Sequence, residues 1–284
     1  MEQSLIVIQP GIMTSCAALQ ALTCVLGPAR ILPSDQFDPA KNKKHSLTIF
    51  VSEGLDWGEL RDKIKECLEY TDKAVVGWIA AGIPVEGLNE MDRLYSENHV
   101  RGLTLQNNLI DQADVAEVID LGLALRNERD KIQQKNQMEQ TDLKKQIETF
   151  LYAHNTCSLS TSFKDQPTSR PIEYHYLNGE LHFLSEGGEK FAGLLANGQA
   201  AIAVFEPYHG FNRLAGMQLT GKASIPIFAS DDYQKSIKIC GLDLERMKKL
   251  PIALNVIIIH LEQAVFLWSG FKELGFDPRQ IYWF

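Results

Sequence analysis

Ile172-Glu-Tyr-His-Tyr-Leu177, Asn178-Gly179, Glu180-Leu-His-Phe-Leu-Ser185 and Glu186-Gly-Gly-Glu-Lys190 follow one another without interruption. The first and third pieces are β-branched, aromatic and alternating in character, and an Asn-Gly pair between such pieces supplies the positive φ angles of a two-residue hairpin turn. Antiparallel pairing of the two pieces is therefore expected, with Arg170 ahead of the first strand and Glu186 to Lys190 beyond the second at one end of the sheet. Upstream lies a short apolar segment from Thr156 and a polar turn, and downstream two further apolar strands reach Ile225, so the stretch reads as a β-meander. The gathered end holds Arg170, Ser185, Gly187, Gly188 and Lys190. Glycines leave backbone N–H groups free to face an anion, a serine hydroxyl can donate, and Arg and Lys supply charge, which together suit a phosphate cradle. The same residues also suit a solvated turn with scattered charges.

Residues of about Asp142 to Phe284 resemble the FMN-binding split barrel of the pyridoxamine 5'-phosphate oxidase-like superfamily. The similarity runs through a leading helix at Leu143-Lys-Lys-Gln-Ile-Glu-Thr-Phe-Leu151, then Cys157-Ser-Leu-Ser-Thr-Ser162, Ser169-Arg-Pro-Ile172 and Phe183-Leu-Ser185. It continues with Lys190-Phe-Ala-Gly-Leu-Leu-Ala-Asn197, Ala201-Ile-Ala-Val-Phe205 and Leu214-Ala-Gly-Met-Gln-Leu-Thr-Gly-Lys-Ala223. The resemblance implies that Arg170 and Lys190 hold the flavin phosphate, with Ser185 as the small hydroxyl residue beside them, next to Leu184, and Gly187 and Gly188 completing the cradle. It implies that the backbone of Arg170, Pro171 and Ile172 runs along the isoalloxazine edge, that His175 stands where the oxidase has a second basic residue, and that Gln218 lies on the strand reaching toward the ring. Trp268, within an aromatic C-terminal segment, is the preferred stacking residue; such rings also seal cores and dimer seams. The oxidase's Arg-rich C-terminal substrate motif has no counterpart here. The resemblance further implies a homodimer, a flavin-dependent oxidoreductase and a small-molecule substrate or electron donor.

A chain of 284 residues exceeds the usual size of one core, so two domains are expected. A net charge of −8 argues against a nucleic-acid face, which needs a basic surface. No apolar stretch approaches the roughly 18 residues of a membrane span, and the first residues lack a basic leader, so the expected setting is cytoplasmic. Cys16, Cys24, Cys67, Cys157 and Cys240 are scattered without metal or redox spacing and read as reduced, mostly buried residues.

The first half alternates apolar strands with helices. Strands are expected at Ser4–Gln9, Ala29–Leu32, Leu47–Ser52, Ala74–Ala81 and near Leu103–Leu105, and helices at Thr14–Leu26, Trp57–Tyr70, Leu88–Asn98 and Ala113–Arg126. This order argues for a parallel α/β sheet and resembles a flavodoxin-like domain over residues 1–126. Its phosphate loop would be Gln9-Pro-Gly-Ile-Met-Thr-Ser15, where Gly11, Thr14 and Ser15 suit a phosphate but Pro10 removes a donor and Ile12 and Met13 are apolar. A second flavin there is one reading; a retained fold with a degenerate loop, serving as scaffold, dimerisation surface or lid, is the other. Ser52-Glu53-Gly54 and Ala80 to Pro84 follow strands where ligands of such sheets gather. Residues 127–141, charged and Gln-rich, read as a solvated helical connector to the barrel at 142–284.

His154, His175, His182, His209 and His260 show no metal-ligand spacing, and no metal site is expected. The chain has no nucleophile elbow, P-loop or dinucleotide fingerprint. Two further readings stay open. One is a haem-binding or haem-degrading split barrel, for which His154, His175 or His260 would have to supply the axial ligand. The other is a non-catalytic flavin carrier or sensor.

Overall fold

The computed structural model of the protein describes residues 4–12, 17–53, 57–70, 75–81, 100–105, 115–133, 136–252 and 254–284. They divide into two units, Met1–Lys135 and Asn136–Phe284. The N-terminal unit is a parallel sheet of β1 (Ser4–Ile8), β2 (Ala29–Pro33), β3 (Leu47–Glu53), β4 (Val75–Ala81) and β5 (Val100–Leu105), in the order β2-β1-β3-β4-β5. That is the flavodoxin-like arrangement, whose strand order reverses between β1 and β3. All residues of β1 and of β4 are buried because both faces of the sheet are covered. Alternate residues serve the two faces. Ile6 and Ile8 pack with Leu22 of α1 (Ala17–Leu26) and Leu125 of α3 (Val115–Gln133), while Leu5 and Val7 pack with Leu60 and Ile64 of α2 (Trp57–Tyr70). Gly27 ends α1 at φ +80°, its N–H donating to Thr23 O, as a left-handed helix terminus requires. The helix expected over Leu88–Asn98 lies outside the described residues.

The charged stretch 127–141 is not one helix. Its first residues complete α3, whereas Asn136 to Glu139 are non-helical and precede α4 (Gln140–Ala153). The Met138 N–H donates to Oε1 of fully buried Gln280 at 2.9 Å, and the Met138 side chain joins the C-terminal core. These residues belong to the barrel rather than to a solvated spacer.

The C-terminal unit is a curled antiparallel sheet, a split barrel. It contains β6 (Thr156–Phe163), β7 (Gln166–Glu173), β8 (His175–Leu177), β9 (Glu180–Ser185), β10 (Gln199–Phe205), β11 (Ala215–Ser224), β12 (Asn255–Trp268) and β13 (Arg279–Trp283). Their order is β7-β6-β10-β11-β12-β9-β8, with β13 also on β12. The Asn178-Gly179 turn forms as expected, with φ +50° and +84°, and joins β8 to β9. The simple meander does not form. The run expected as one strand, Ile172–Leu177, divides at Tyr174: β7 pairs with β6, and only His175 to Leu177 pair with β9. Arg170 consequently lies inside β7 rather than ahead of a strand. The division is anchored by Tyr174 itself, 1% exposed, whose N–H donates to Asn155 O at 2.8 Å and whose hydroxyl donates to Leu151 O at 2.9 Å.

Two helices matter for the site. Leu143, Ile147, Phe150 and Leu151 form the apolar stripe of α4 and sink into the barrel core. The helix α5 (Lys190–Asn197) lies directly on β6, because a Cβ on Gly193 would stand 2.8 Å from Ser162 O and 3.0 Å from Ser162 N. Gly193→Ala must push α5 off β6, and should destabilise the C-terminal unit by about 1–3 kcal/mol. A chemical denaturation midpoint equal to that of the unaltered protein would refute this close approach.

Candidate functional site

The open mouth of the barrel gathers a set of polar groups from β7, β9 and the start of α5. In register, Arg170 is opposite Leu159, which is fully buried, so the guanidinium leaves the strand on the core-facing side at the barrel's edge. It meets Glu189 Oε2 at 2.5 Å, with both side chains largely exposed. Ser185 ends β9, and its hydroxyl is 3.2 Å from both N and O of Gly187. Gly187 and Gly188 follow at φ +137° and +107°, a region in which a side chain is strained. Lys190 opens α5 and donates to Gly187 O at 2.5 Å. Burial, and next the neighbouring Arg170 charge, hold the Lys190 ammonium below its ordinary value. Two cations, a hydroxyl and a left-handed glycine pair thus converge where an anion would relieve the like-charge repulsion.

The other sequence-derived positions are distributed differently. Pro171 is exposed on β7 and Ile172 packs against the core. Leu184 turns to the outer face and packs with Tyr233 and Ile237 of α6 (Asp231–Ile239). His175 pairs in register with His182, whose side chain is on the face of β9 opposite to Ser185, so His175 does not join the cradle. Gln218 is exposed on β11, opposite Val265 of β12. Trp268 terminates β12, whose first residue, Asn255, is the partner of Ser185. The 14 residues of β12 span on the order of 45 Å, so Trp268 stands at the opposite end of that strand from Ser185. Its ring is stacked on Phe266, edge-on to Phe271, and closed in by Gly270.

In the N-terminal unit, Gln9 bridges the carboxyl ends of β1 and β3: its N–H donates to Val51 O and its Oε1 accepts from the Glu53 N–H at 2.9 Å. Gly11 is left-handed at φ +99°. Thr14, Ser15, Gly54 and Gly82 to Pro84 lie outside the described residues, while Ser52, Ala80 and Ala81 are buried. Cys67 and Cys157 are buried, Cys24 is exposed, and burial pushes the Cys157 thiol up to about 12. Among the described residues no group of His, Cys, Asp and Glu is arranged to hold a metal ion, and no helix is long and apolar enough to cross a membrane.

The sequence reading missed a second polar group, on the outer face of the same barrel. Glu180, His182 and His260 meet there, with Ser224 and Ser236. Alternation along β9 places Glu180 and His182 on one face, but their contacts with β11, β12 and α6 depend on register and helix docking.

Residues 143–262 match the family model described as pyridoxamine 5'-phosphate oxidase. No curated protein matches the chain. Among solved structures, HutZ from Vibrio cholerae, titled a haem storage protein, is 18% identical with a TM-score of 0.38, over 45% of this chain and 97% of that one. General Stress Protein 26 from Bacillus anthracis is 16% identical with a TM-score of 0.37, over 50% of this chain and 98% of that one. An FAD-binding protein from Mesorhizobium loti is 16% identical with a TM-score of 0.33, over 43% of this chain and 89% of that one. The C-terminal split barrel contains the residues that match this family model, and the flavodoxin-like α/β unit lies outside the match.

Removing the Arg170 charge should move the Lys190 ammonium up toward its ordinary 10.5, since one of the two causes of its depression disappears. Titration of the Lys190 Nζ resonance in Arg170→Ala measures this; an unmoved titration would mean that the guanidinium does not face Lys190.

Proposed function

We propose that the C-terminal unit binds FMN at the barrel mouth and serves a flavin-dependent oxidoreductase reaction on a small molecule. The observation carrying this reading is the convergence of Arg170 and Lys190 on the left-handed Gly187-Gly188 turn, beside the Ser185 hydroxyl. Lys190 is partly buried beside the Arg170 charge, and a phosphate monoester, which accepts charge-assisted hydrogen bonds from both, would relieve their repulsion. Glu189 already lends Arg170 a carboxylate, and its exposed position on the rim lets a phosphate take its place. The residues present therefore fit the group that the fold class implies.

When bound, FMN supplies two-electron redox chemistry. The chain's own part is binding and orientation. Arg170 and Lys190 would neutralise the phosphate, Ser185 would donate to it, and the β7 backbone from Arg170 to Ile172 would border the ring. No side chain of the cradle is asked to act as nucleophile or metal ligand. In the N-terminal unit the Gln9 bridge spans the strand-order reversal where a flavodoxin-like sheet takes its ligand, which supports one flavin per chain, in the barrel.

A homodimer completes this reading. Gln218 faces outward from β11, in the cross-strand row of Ala203, Ser158 and Pro171, and Trp268 ends β12 away from Ser185, so each would approach a flavin from a second copy. Phe205, Tyr208 and Phe211 at the β10–β11 connection, 62%, 63% and 81% exposed, offer apolar surface for such a partner.

The purified protein should show flavin absorption, with one FMN released per chain on denaturation. Arg170→Ala and Lys190→Ala should each weaken FMN binding by about tenfold or more, the value of a charged hydrogen bond, with unchanged circular dichroism. Equal flavin content in both variants would remove the cradle assignment, and a protein that takes up no FMN would remove the function.

A further inference from the structure

On the outer face of the barrel, register brings two rows of side chains together. His175, His182, Ile258 and Ser224 are successive cross-strand partners on β8, β9, β12 and β11, and Leu177, Glu180, His260 and Lys222 form the next row. With α6 these rows, apart from His175 and Lys222, line a half-open cavity of 670 Å3, separate from the cradle at the barrel mouth, whose lining includes Leu177 and Ile258 and, from α6, Asp232, Lys235, Lys238 and Ile239.

The polar groups are ordered as a chain. Ser236 Oγ is 2.5 Å from His182 Nδ1, Glu180 Oε1 is 2.9 Å from His260 Nδ1, and His260 Nε2 is 3.1 Å from Ser224 Oγ. His182 is 2% exposed, and its Nε2 is buried without a hydrogen bond. The nearest carboxylate oxygen, Glu180 Oε2, stands 3.5 Å away, beyond good hydrogen-bond length. That carboxylate nevertheless decides the tautomer: a lone pair on Nε2 would face a negative oxygen, so Nε2 carries the proton and the Ser236 hydroxyl donates to Nδ1. The orphan is therefore a buried donor, and a buried donor left unmade is costly. Beside it Lys235 is shared only with exposed Asp232, at 3.6 Å, and Lys238 has no ionic partner among the described residues. A buried donor and two exposed ammonium groups beside this mixed polar and apolar cavity suit an acceptor that carries negative charge.

We infer that this cavity is a second binding site, for a small organic anion, a carboxylate or a phosphate monoester, whose oxygen accepts from His182 Nε2 and whose charge faces Lys235 and Lys238. Its apolar body lies against Leu177, Ile239 and Ile258.

Binding is linked to protons. Burial holds the His182 imidazole below its ordinary 6.5, Glu180 opposes this, and the His175 and His260 charges add to it. From α6 the facing charges are Asp232, Lys235 and Lys238. A bound anion favours the imidazolium, so it raises the His182 pKa, a proton is taken up on binding, and affinity rises as pH falls through the region just below neutrality. Ser224, His260 and Glu180 also stand in the order hydroxyl, imidazole, carboxylate of a nucleophilic array. His260 is 51% exposed, however, and here the array serves to hold Glu180 against His182.

The test follows the imidazole resonances of His182 and His260 in the full-length protein during titration with benzoate and, separately, inorganic phosphate. Saturable shifts of both residues are expected, and the probe with the lower midpoint identifies the preferred anion. The pH comparison uses benzoate, whose own charge is constant over the range: its midpoint should be about tenfold lower at pH 6 than at pH 8 for one proton taken up. Lys235→Gln/Lys238→Gln, on the exposed side of α6, should raise the midpoint about tenfold. A His182 resonance that neither probe moves overturns the inference, as does a midpoint unchanged in the double variant. Covalent labelling of Ser224 by a fluorophosphonate would replace it with a nucleophilic serine.

Discussion

The C-terminal unit depends on one buried corner. Tyr174 satisfies its backbone N–H on Asn155 and its hydroxyl on Leu151 while remaining 1% exposed. Chain on one side of it belongs to β7, at one end of the sheet order, and chain on the other side belongs to β8, at the opposite end. A single residue between the two ends of a sheet of this size forces the sheet to curl until those ends approach. The mouth of the barrel is the consequence. It brings β7, carrying Arg170, toward the end of β9, although no ladder joins the two strands. Replacing a hydrogen-bonded tyrosine at such a corner leaves buried partners unmade, which costs more than its lost area alone.

The strand β9 serves both polar regions through its pleat. Leu181, Phe183 and Ser185 face inward, and the last of these reaches the cradle; Glu180, His182 and Leu184 face outward toward α6. A slip of one residue would exchange the two sets and bury Glu180 in the core. Register is pinned from both sides, by the Asn178-Gly179 turn on β8 and by the long ladder with β12, from Asn255 opposite Ser185 to His260 opposite Glu180. The two regions are therefore distinct in chemistry yet mechanically joined.

How far the sequence reveals this varies with the range of the forces involved. The hairpin at Asn178-Gly179, the helix Trp57–Tyr70 and the terminus at Gly27 are written in neighbouring residues, because positive φ and helical periodicity are local demands. Parallel strands buried on both faces are legible as unbroken apolar runs. The division at Tyr174 has no such mark: Ile172 to Leu177 contain neither glycine nor proline and alternate like one strand, and only the long-range partners Asn155 and Leu151 end it. The same holds for the outer cavity, whose residues are 80 positions apart in the Glu180–His260 contact. The aromatic C-terminal segment misled in another way, since Trp268 is prominent in the sequence while its ring is engaged by Phe266 and Phe271 at the strand's far end.

The cradle and the outer cavity apply one physical device at two depths. At the mouth, Arg170 and Lys190 repel each other across a turn that only glycines can adopt without strain, and the conflict is eased provisionally by Glu189 and by Gly187 O. Under α6, burial holds the His182 imidazole below its ordinary value, with an N–H that makes no hydrogen bond and two lysines beside it. Each arrangement is stable without a ligand because a weak internal acceptor stands near the unsatisfied group. Each gains from an anion because that acceptor is poorer than a phosphate or carboxylate oxygen in the same place. The exposed cradle exchanges one solvated partner for another, so its selectivity rests on geometry and on the two full charges. At the outer cavity desolvation of His182 governs instead, so its occupancy is tied to protonation of that imidazole, whereas the cradle's is tied to the Lys190 ammonium.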